Sequence, residues 1–235
     1  MSEKIIIIGG SSGMGMAAAR RFRAEGYEVF ISARSQARID ATLAEIGGGA
    51  GHRLDYTEHD TVAAFFEQAG AHQHLVLAAA GPPAWGPFGE LSPERLQAAF
   101  DSKFWGYFRC LQSALRGLDA RGSVTMVTGA AARAAIPGTA GLAAVNGAIE
   151  RLGLTLAREL APRRVNVISP GLVDTPAYAT MPGEQREKMY RDTASHLPIG
   201  RIGQPADIAE ALLFLVRDGY VTGAVLDVDG GTHLG

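Results

Sequence analysis

Apolar segments and amphipathic segments alternate along the whole chain. The first apolar segment, residues 5–8, is four consecutive isoleucines, which is typical of a strand covered on both faces of a parallel sheet. Later apolar runs predict further strands at residues 28–32, 51–54, 74–79, 122–128, 164–169 and 224–228. The stretches between them predict helices at residues 16–25, 35–46, 58–69, 92–118, 138–161 and 205–217.

This alternation predicts the fold class. We expect an α/β fold in which one doubly wound, seven-stranded parallel sheet lies between helical layers, with right-handed crossovers. No linker interrupts the pattern, so residues 1–235 are predicted to form a single domain. Residues 175–195 read as an irregular insertion with helical parts. Ligands of such sheets bind beyond the carboxyl ends of the strands, so one shared cleft is expected there.

A glycine-rich turn follows the first strand. Gly9, Gly13 and Gly15 are spaced G-x-x-x-G-x-G, and a helix-forming segment comes directly after them. Glycine permits positive φ and lets the backbone approach an anion closely, while a helix N-terminus attracts negative charge. Strand, glycine turn and helix together predict a phosphate-binding site of the dinucleotide type.

Composition narrows the class of protein. The formal net charge is −2 and no basic block occurs, so we expect no nucleic-acid partner. No apolar run approaches the ~20 residues that cross a bilayer, and the N-terminus leads straight into a strand, so neither a membrane segment nor a signal peptide is expected. The single cysteine, Cys110, lies among apolar residues, which favours a buried thiol. A lone cysteine cannot form an internal disulfide, so a cytoplasmic location is expected. The histidines lack metal-ligand spacing, so we predict no metal site.

Several landmarks resemble the short-chain dehydrogenase/reductase superfamily over essentially the whole chain. They are the turn at 9–15, Asp55 after the third strand, Ala80-Gly81 after the fourth, Arg164-Val165-Asn166 with Pro170-Gly171, and Asp229-Gly230-Gly231. The resemblance implies a three-layer Rossmann fold, a nicotinamide cofactor, a small-molecule substrate and a homodimer or homotetramer. It also implies a substrate lid at about 175–200 and a main dimer interface on the helices at 92–118 and 138–161.

The resemblance further implies which residues contact the cofactor. The glycine turn would hold the pyrophosphate, and Asp55 would hold the adenine amino group. Ala79 and Gly81 would flank the adenosine ribose, although this chain has alanines where the family has two asparagines. Thr175 would meet the nicotinamide carboxamide. The expected cofactor-binding residues are Gly9, Ser11, Ser12, Gly13, Met14, Gly15, Arg34, Asp55, Ala79, Gly81, Lys103, Pro170, Gly171 and Thr175.

The end of the second strand favours NADP(H) as the cofactor. Folds selective for NAD place a carboxylate there for the ribose hydroxyls. This chain has Ala33-Arg34-Ser35 instead, and a guanidinium pairs with a 2′-phosphate through two parallel hydrogen bonds. The alternative is a solvated Arg34 with either nucleotide accepted.

The catalytic residues depart from the family pattern. In the family, a Ser on the fifth strand, a Tyr-x-x-x-Lys on the next helix and an Asn on the preceding helix carry the chemistry. Here Leu142 and Asn146 stand at the tyrosine and lysine positions. Gly129, or its neighbour Thr128, stands at the serine position, and Lys103 at the asparagine position. The chain therefore resembles a divergent branch that lacks the usual Ser-Tyr-Lys set.

The lysine and asparagine positions have exchanged residue types. The two side chains face each other in the family fold, so we expect Lys103 to reach the ribose hydroxyls and Asn146 to accept a hydrogen bond from it. The alternative is a solvated Lys103. A proton donor must then come from elsewhere or from water. His196, in the expected lid, is the first candidate because imidazole titrates near neutral pH; the Thr128 hydroxyl is a candidate for polarising a carbonyl.

Three functions stay open from the sequence. An NADP(H)-dependent oxidoreductase acting on a small carbonyl, alcohol or imine is favoured by the glycine turn, Arg34 and Thr175. A non-redox isomerase, lyase or cyclase on the same scaffold is favoured by the missing tyrosine. So is a catalytically silent NADPH-binding protein.

Overall fold

One parallel sheet forms the centre of the molecule. The computed structural model describes residues 2–82 and 84–234, so Met1, Pro83 and Gly235 of the expected domain lie outside it. Within the described residues the sheet has seven strands, which are β1 Lys4–Ile8, β2 Glu28–Ala33, β3 Ala50–Arg53, β4 His72–Leu77, β5 Leu118–Val127, β6 Arg164–Pro170 and β7 Val225–Val228. Their order is β3-β2-β1-β4-β5-β6-β7, with every pairing parallel. The predicted single-domain, doubly wound α/β fold is confirmed.

Helices cover both faces of this sheet. In the described part of the chain they are α1 Gly13–Ala24, α2 Gln36–Glu45, α3 His59–Ala69, α4 Pro93–Ala99, α5 Trp105–Ala114, α6 Ala140–Glu159, α7 Gly183–His196 and α8 Pro205–Arg217. One apolar layer joins Ile5 and Ile7 to α1, α2 and α8, and the other joins Ile6 and Ile8 to α3, α5 and α6. The isoleucine run is therefore buried on both faces, as its sequence predicts.

The helix predicted over residues 92–118 differs from the structure. It is α4, then a π-helical turn at Phe100–Phe104, then α5, which ends at Ala114. The prediction is wrong beyond Ala114, because Gly117 closes a turn onto the Ala114 carbonyl and Leu118 begins β5. The strand predicted at 74–79 lies two residues earlier, at His72–Leu77.

The topology places a cleft at the carboxyl ends of the strands. Strand β1 pairs with both β2 and β4, so the crossovers leave β1 in opposite directions and the strand order reverses beside it. Ligands bind at the carboxyl ends of the strands at such a switch point. The loops after β1, β4, β5 and β6 all open at these ends. No helix of the described residues has both the length and the apolar character needed to cross a membrane.

Candidate active site

The turn between β1 and α1 is built so that only glycine fits. Gly9 has φ +84°, and a Cβ on it would lie 2.8 Å from the Cα of Ala79. A Cβ on Gly15 would lie 2.2 Å from the Gly9 carbonyl oxygen. Gly13, with φ +51°, begins α1, and a Cβ on it would lie 3.4 Å from the Cβ of Thr175. The turn therefore brings bare backbone and a helix N-terminus to the cleft, which suits a phosphate.

The two serines and the methionine of this turn take different positions. Ser12 is the N-cap of α1 in extended backbone, and its hydroxyl makes no capping hydrogen bond. Ser11 is half-buried beside it. Met14 packs against the apolar layer under α1 instead, so its side chain supports the turn.

The carboxyl ends of β2 and β3 bring a guanidinium and a carboxylate to one side of the turn. Arg34 is exposed just beyond β2. Asp55 is half-buried, and its Oδ1 accepts hydrogen bonds from the Thr57 hydroxyl at 2.6 Å and the Thr57 N–H at 3.0 Å. These bonds, with the hydroxyl contributing most, hold the pKa of Asp55 below its ordinary value. Asp55 is therefore an ionised acceptor near the predicted adenine position.

Two tyrosines bind the backbone of the loop after β4. In this loop the family has two asparagines at the positions of Ala78 and Ala79. The Tyr107 hydroxyl, fully buried, lies 2.9 Å from the carbonyl oxygens of Leu77 and Ala79 and 3.2 Å from that of Val127. The Tyr56 hydroxyl donates to the Ala80 carbonyl at 2.9 Å. Sequence reasoning missed both residues, because Tyr107 on α5 has the pattern of ordinary core and Tyr56 lies in an ordinary turn after β3.

Gly81 seats this loop against the helix that carries Lys103. A Cβ on Gly81 would lie 3.3 Å from the Lys103 Cβ and 3.3 Å from the Ser102 hydroxyl. The two segments therefore touch without a side chain between them. This contact fixes the distance between the predicted ribose loop and the predicted catalytic lysine.

Lys103 lies in the π-helical turn and points at the carboxyl end of β5. Its ammonium donates to Asn146 Oδ1 at 2.8 Å and to the Thr128 carbonyl at 3.1 Å. The hydrogen bond predicted between Lys103 and Asn146 is therefore present. Burial lowers the pKa of Lys103 to about 8, and the charge of Glu150 opposes that shift. Single-turn π segments are frequent at functional sites.

Thr128 turns its hydroxyl into the protein. Its Oγ1 lies 3.1 Å from Glu150 Oε1 and 3.1 Å from the Ile168 carbonyl. The expectation that this hydroxyl polarises a substrate carbonyl has no support from its geometry, because both contacts are internal acceptors. Glu150 is 8 % exposed, and burial raises its pKa. Sequence reasoning missed Glu150, although its spacing of four residues after Asn146 places both on one face of α6.

The C-terminal end of the sheet carries a cluster of charged side chains. Arg133, after β5, pairs with Asp227 of β7 at 2.8 Å. Oxygen and nitrogen atoms of Asp227, Asp229 and His233 lie within 4.8 Å of one another. Asp229 already accepts from the N–H groups of Gly231 and His233 and from the His233 ring. The cluster thus anchors the chain end, and the prediction of no metal site stays a prediction.

The segment after β6 contributes the remaining predicted residues. Pro170 ends β6, and a Cβ on Gly171 would lie 2.7 Å from the Asp229 carbonyl oxygen, so the loop leaves the sheet tightly packed. In α7 the exposed His196 has its Nδ1 2.7 Å from the Asp192 carbonyl. Its hydrogen bonds in the described chain are all within α7. The structure therefore brings Lys103, Asn146 and Thr128 together, and His196 is not bonded to them.

A doubly wound sheet with a glycine turn after its central strand is the architecture of nucleotide-binding Rossmann domains. The family model described as enoyl-(acyl carrier protein) reductase, adh_short_C2, matches residues 9–233. The chain belongs to the short-chain dehydrogenase/reductase family of oxidoreductases.

Characterised relatives match over nearly the whole chain. Cis-4-hydroxycyclohexanecarboxylate dehydrogenase of Sinomonas cyclohexanicum is 32 % identical, covering 98 % of this chain and 96 % of its own. The 3-oxoacyl-[acyl-carrier-protein] reductase MabA of Mycobacterium tuberculosis is 27 % identical, covering 100 % and 94 %. A solved structure of a small-chain dehydrogenase in complex with NADPH is 35 % identical, with a TM-score of 0.87 and full coverage of both chains.

Proposed function

We propose that this protein is an NADP(H)-dependent oxidoreductase that acts on a small carbonyl, alcohol or imine with a non-standard catalytic set. The observation that carries the proposal is the turn after β1, where the Gly9 and Gly15 positions have no room for a Cβ. A turn so shaped brings bare backbone and the N-terminus of α1 within reach of an anion. The relative crystallised with NADPH supports the same cofactor.

The choice of NADP(H) over NAD(H) rests on Arg34. Its guanidinium is exposed beyond β2 and makes no hydrogen bond or ion pair within the described residues. It is therefore free to pair with a 2′-phosphate. When bound, the cofactor would supply or accept the hydride. The turn residues, Asp55, the loop of Ala79 and Gly81, and Thr175 would hold it in the cleft.

Lys103 is the proposed centre of the catalytic set. Its ammonium is fixed by Asn146 and by the Thr128 carbonyl, and a pKa of about 8 leaves it mostly protonated at neutral pH. A general acid is most effective when its pKa lies near the working pH. We propose that Lys103 holds the cofactor and also the proton that reduction requires. His196 stays a candidate donor, since a lid at 175–200 would carry it.

Family membership supports a proposal about the assembly of the protein. We propose a homodimer or homotetramer that uses α5 and α6, where Trp105 is 42 % exposed beside Phe104 and Phe108. The cytoplasmic location stays a proposal of the same kind.

A binding titration tests the cofactor and the role of Lys103 together. We expect NADPH to bind more tightly than NADH, measured by fluorescence. Lys103→Met should weaken NADPH binding about tenfold or more, the scale of a lost charge-assisted hydrogen bond. Lys188→Met is the matched control, because Lys188 lies exposed on α7, and it should bind like the parent. Tighter binding of NADH, or equal effects of the two variants, would contradict the proposal.

Turnover separates an oxidoreductase from its alternatives. Leu142, at the family's tyrosine position, is the observation that favours a non-redox enzyme on this scaffold. Loss of NADPH absorbance with a panel of quinones, imines and aldehydes would support reduction. NADPH binding with no NADPH oxidation across the panel would instead favour a non-redox enzyme or a catalytically silent NADPH-binding protein.

A further inference from the structure

A buried carboxylate lies behind Lys103 and has no part in the function proposed above. Glu150 is one helical turn after Asn146 on α6, and it is 8 % exposed. A carboxylate is rarely buried unless it is paired or hydrogen-bonded, because its desolvation is costly. Within the described residues its carboxylate accepts a hydrogen bond from the Thr128 hydroxyl at 3.1 Å. One neutral hydroxyl is a weak reason to bury a charge, so its electrostatic surroundings matter.

Thr128 joins Glu150 to the lysine. The carbonyl of Thr128 accepts from the Lys103 ammonium, and the hydroxyl of the same residue meets Glu150. Asn146, on the same α6 face as Glu150, accepts the second Lys103 hydrogen bond. The π-helical turn, the end of β5 and α6 thus form one polar unit with Lys103 at one end and Glu150 at the other.

Of the charged groups around this polar unit, only Glu150 acts on Lys103 among the described residues. Arg133 and Asp227 influence Glu150 but pair with each other at 2.8 Å, so their charges largely offset. Glu150 is the charged group that acts on Lys103, and it favours the protonated lysine. Without Glu150 the ammonium would keep its hydrogen bonds to Asn146 and Thr128, but no counter-charge would offset its desolvation. The charged groups that act on the unit are Arg133 from the loop after β5 and Asp227 from β7, and the titratable Tyr107 of α5 bonds the neighbouring Val127 carbonyl.

We propose that Glu150 is a positioning residue that acts as the counter-charge of Lys103 and keeps its ammonium protonated and oriented toward the cofactor. This inference rests on the proposed NADPH binding. Without Glu150, the lysine would lose its proton nearer to neutral pH, and its hold on the cofactor would weaken there.

The pH dependence of NADPH binding tests this inference. Dissociation constants are measured by fluorescence between pH 7 and 10, a range over which the 2′-phosphate changes its charge only slightly. In the parent protein, binding should weaken about tenfold as pH rises through the Lys103 pKa of about 8. Glu150→Gln keeps the size and the Thr128 contact but removes the charge. Its profile should shift toward lower pH, with several-fold weaker binding at pH 8.

Matched variants make the result specific. Glu159→Gln changes an exposed glutamate at the end of the same helix and should leave the profile unchanged. Lys103→Met should give a flat profile. If Glu150→Gln does not fold, Thr128→Val, which removes the linking hydroxyl, should give a smaller shift in the same direction. Parent-like profiles in the folded Glu150 and Thr128 variants would overturn the inference. Failure of the parent to bind NADPH would instead overturn the proposed function.

Discussion

Gly15 shows at the scale of one residue how the turn depends on a missing side chain. Gly15→Ala would place its Cβ 2.2 Å from the Gly9 carbonyl oxygen, so the turn must move. We expect the free energy of unfolding to fall by about 1–3 kcal/mol, the usual cost of overpacking. NADPH binding should weaken about tenfold or more. Chemical denaturation and a fluorescence titration measure the two effects.

Gly219→Ala is the control for that substitution. Gly219 lies in a turn with nothing within 4 Å of its missing Cβ, and it should tolerate alanine with NADPH affinity unchanged. Equal affinities of the Gly15 and Gly219 variants would mean that the glycine turn does not hold the cofactor.

At the residue scale, the sequence predicted one contact of the candidate site and missed others. The Lys103–Asn146 hydrogen bond was predictable from the family resemblance, because the two positions face each other in the family fold. Glu150 and the two tyrosines that hold the loop after β4 were not predictable. These residues bind carbonyl and hydroxyl groups that lie far away in the sequence, and a local sequence pattern does not indicate such partners.

At the scale of elements, the π-helical turn shows a limit of periodicity. Phe100, Phe104 and Phe108 recur every four residues, so the apolar stripe reads as one continuous helix. The π-helical turn at Phe100–Phe104 has one more residue in each hydrogen-bonded turn than an α-helix has, and the apolar stripe continues through it. The extra residue changes the direction in which Lys103 points. The lysine's position was therefore correct while its local structure was not.

Strand β4 carries two buried histidines, whose titration should control acid stability. Burial lowers the pKa of both His72 and His74 below the ordinary value. The unfolded chain then binds more protons than the folded one below about pH 6.5, so stability falls as pH falls. We expect the free energy of unfolding, from chemical denaturation, to decrease between pH 7 and 5.

Two variants isolate this effect from other titrations. His74→Gln keeps a hydrogen-bonding side chain beside Ser123 but cannot titrate, so it should reduce the loss of stability at pH 5. His52→Gln alters an exposed histidine and should show the parental loss. The same pH dependence in all three proteins would show that His74 has no effect.

At the scale of the whole molecule, the strand order gathers residues from distant parts of the sequence. The fold was predictable because alternating strands and helices permit few right-handed arrangements, and the reversal beside β1 fixes which edge holds the cleft. The proposed site then combines a turn near residue 9, a helical turn near residue 103 and α6. What the sequence could not predict is how closely these parts meet.

Swapping Lys103 and Asn146 tests the central claim that one lysine, reaching from the opposite helix, holds the cofactor. Lys103→Asn removes the ammonium, and Asn146→Lys places two ammonium groups in contact. Each single change should weaken NADPH binding about tenfold or more. The double variant restores one lysine facing one asparagine, and its dissociation constant should return to within a few-fold of the parent. Additive losses in the double variant would contradict the account.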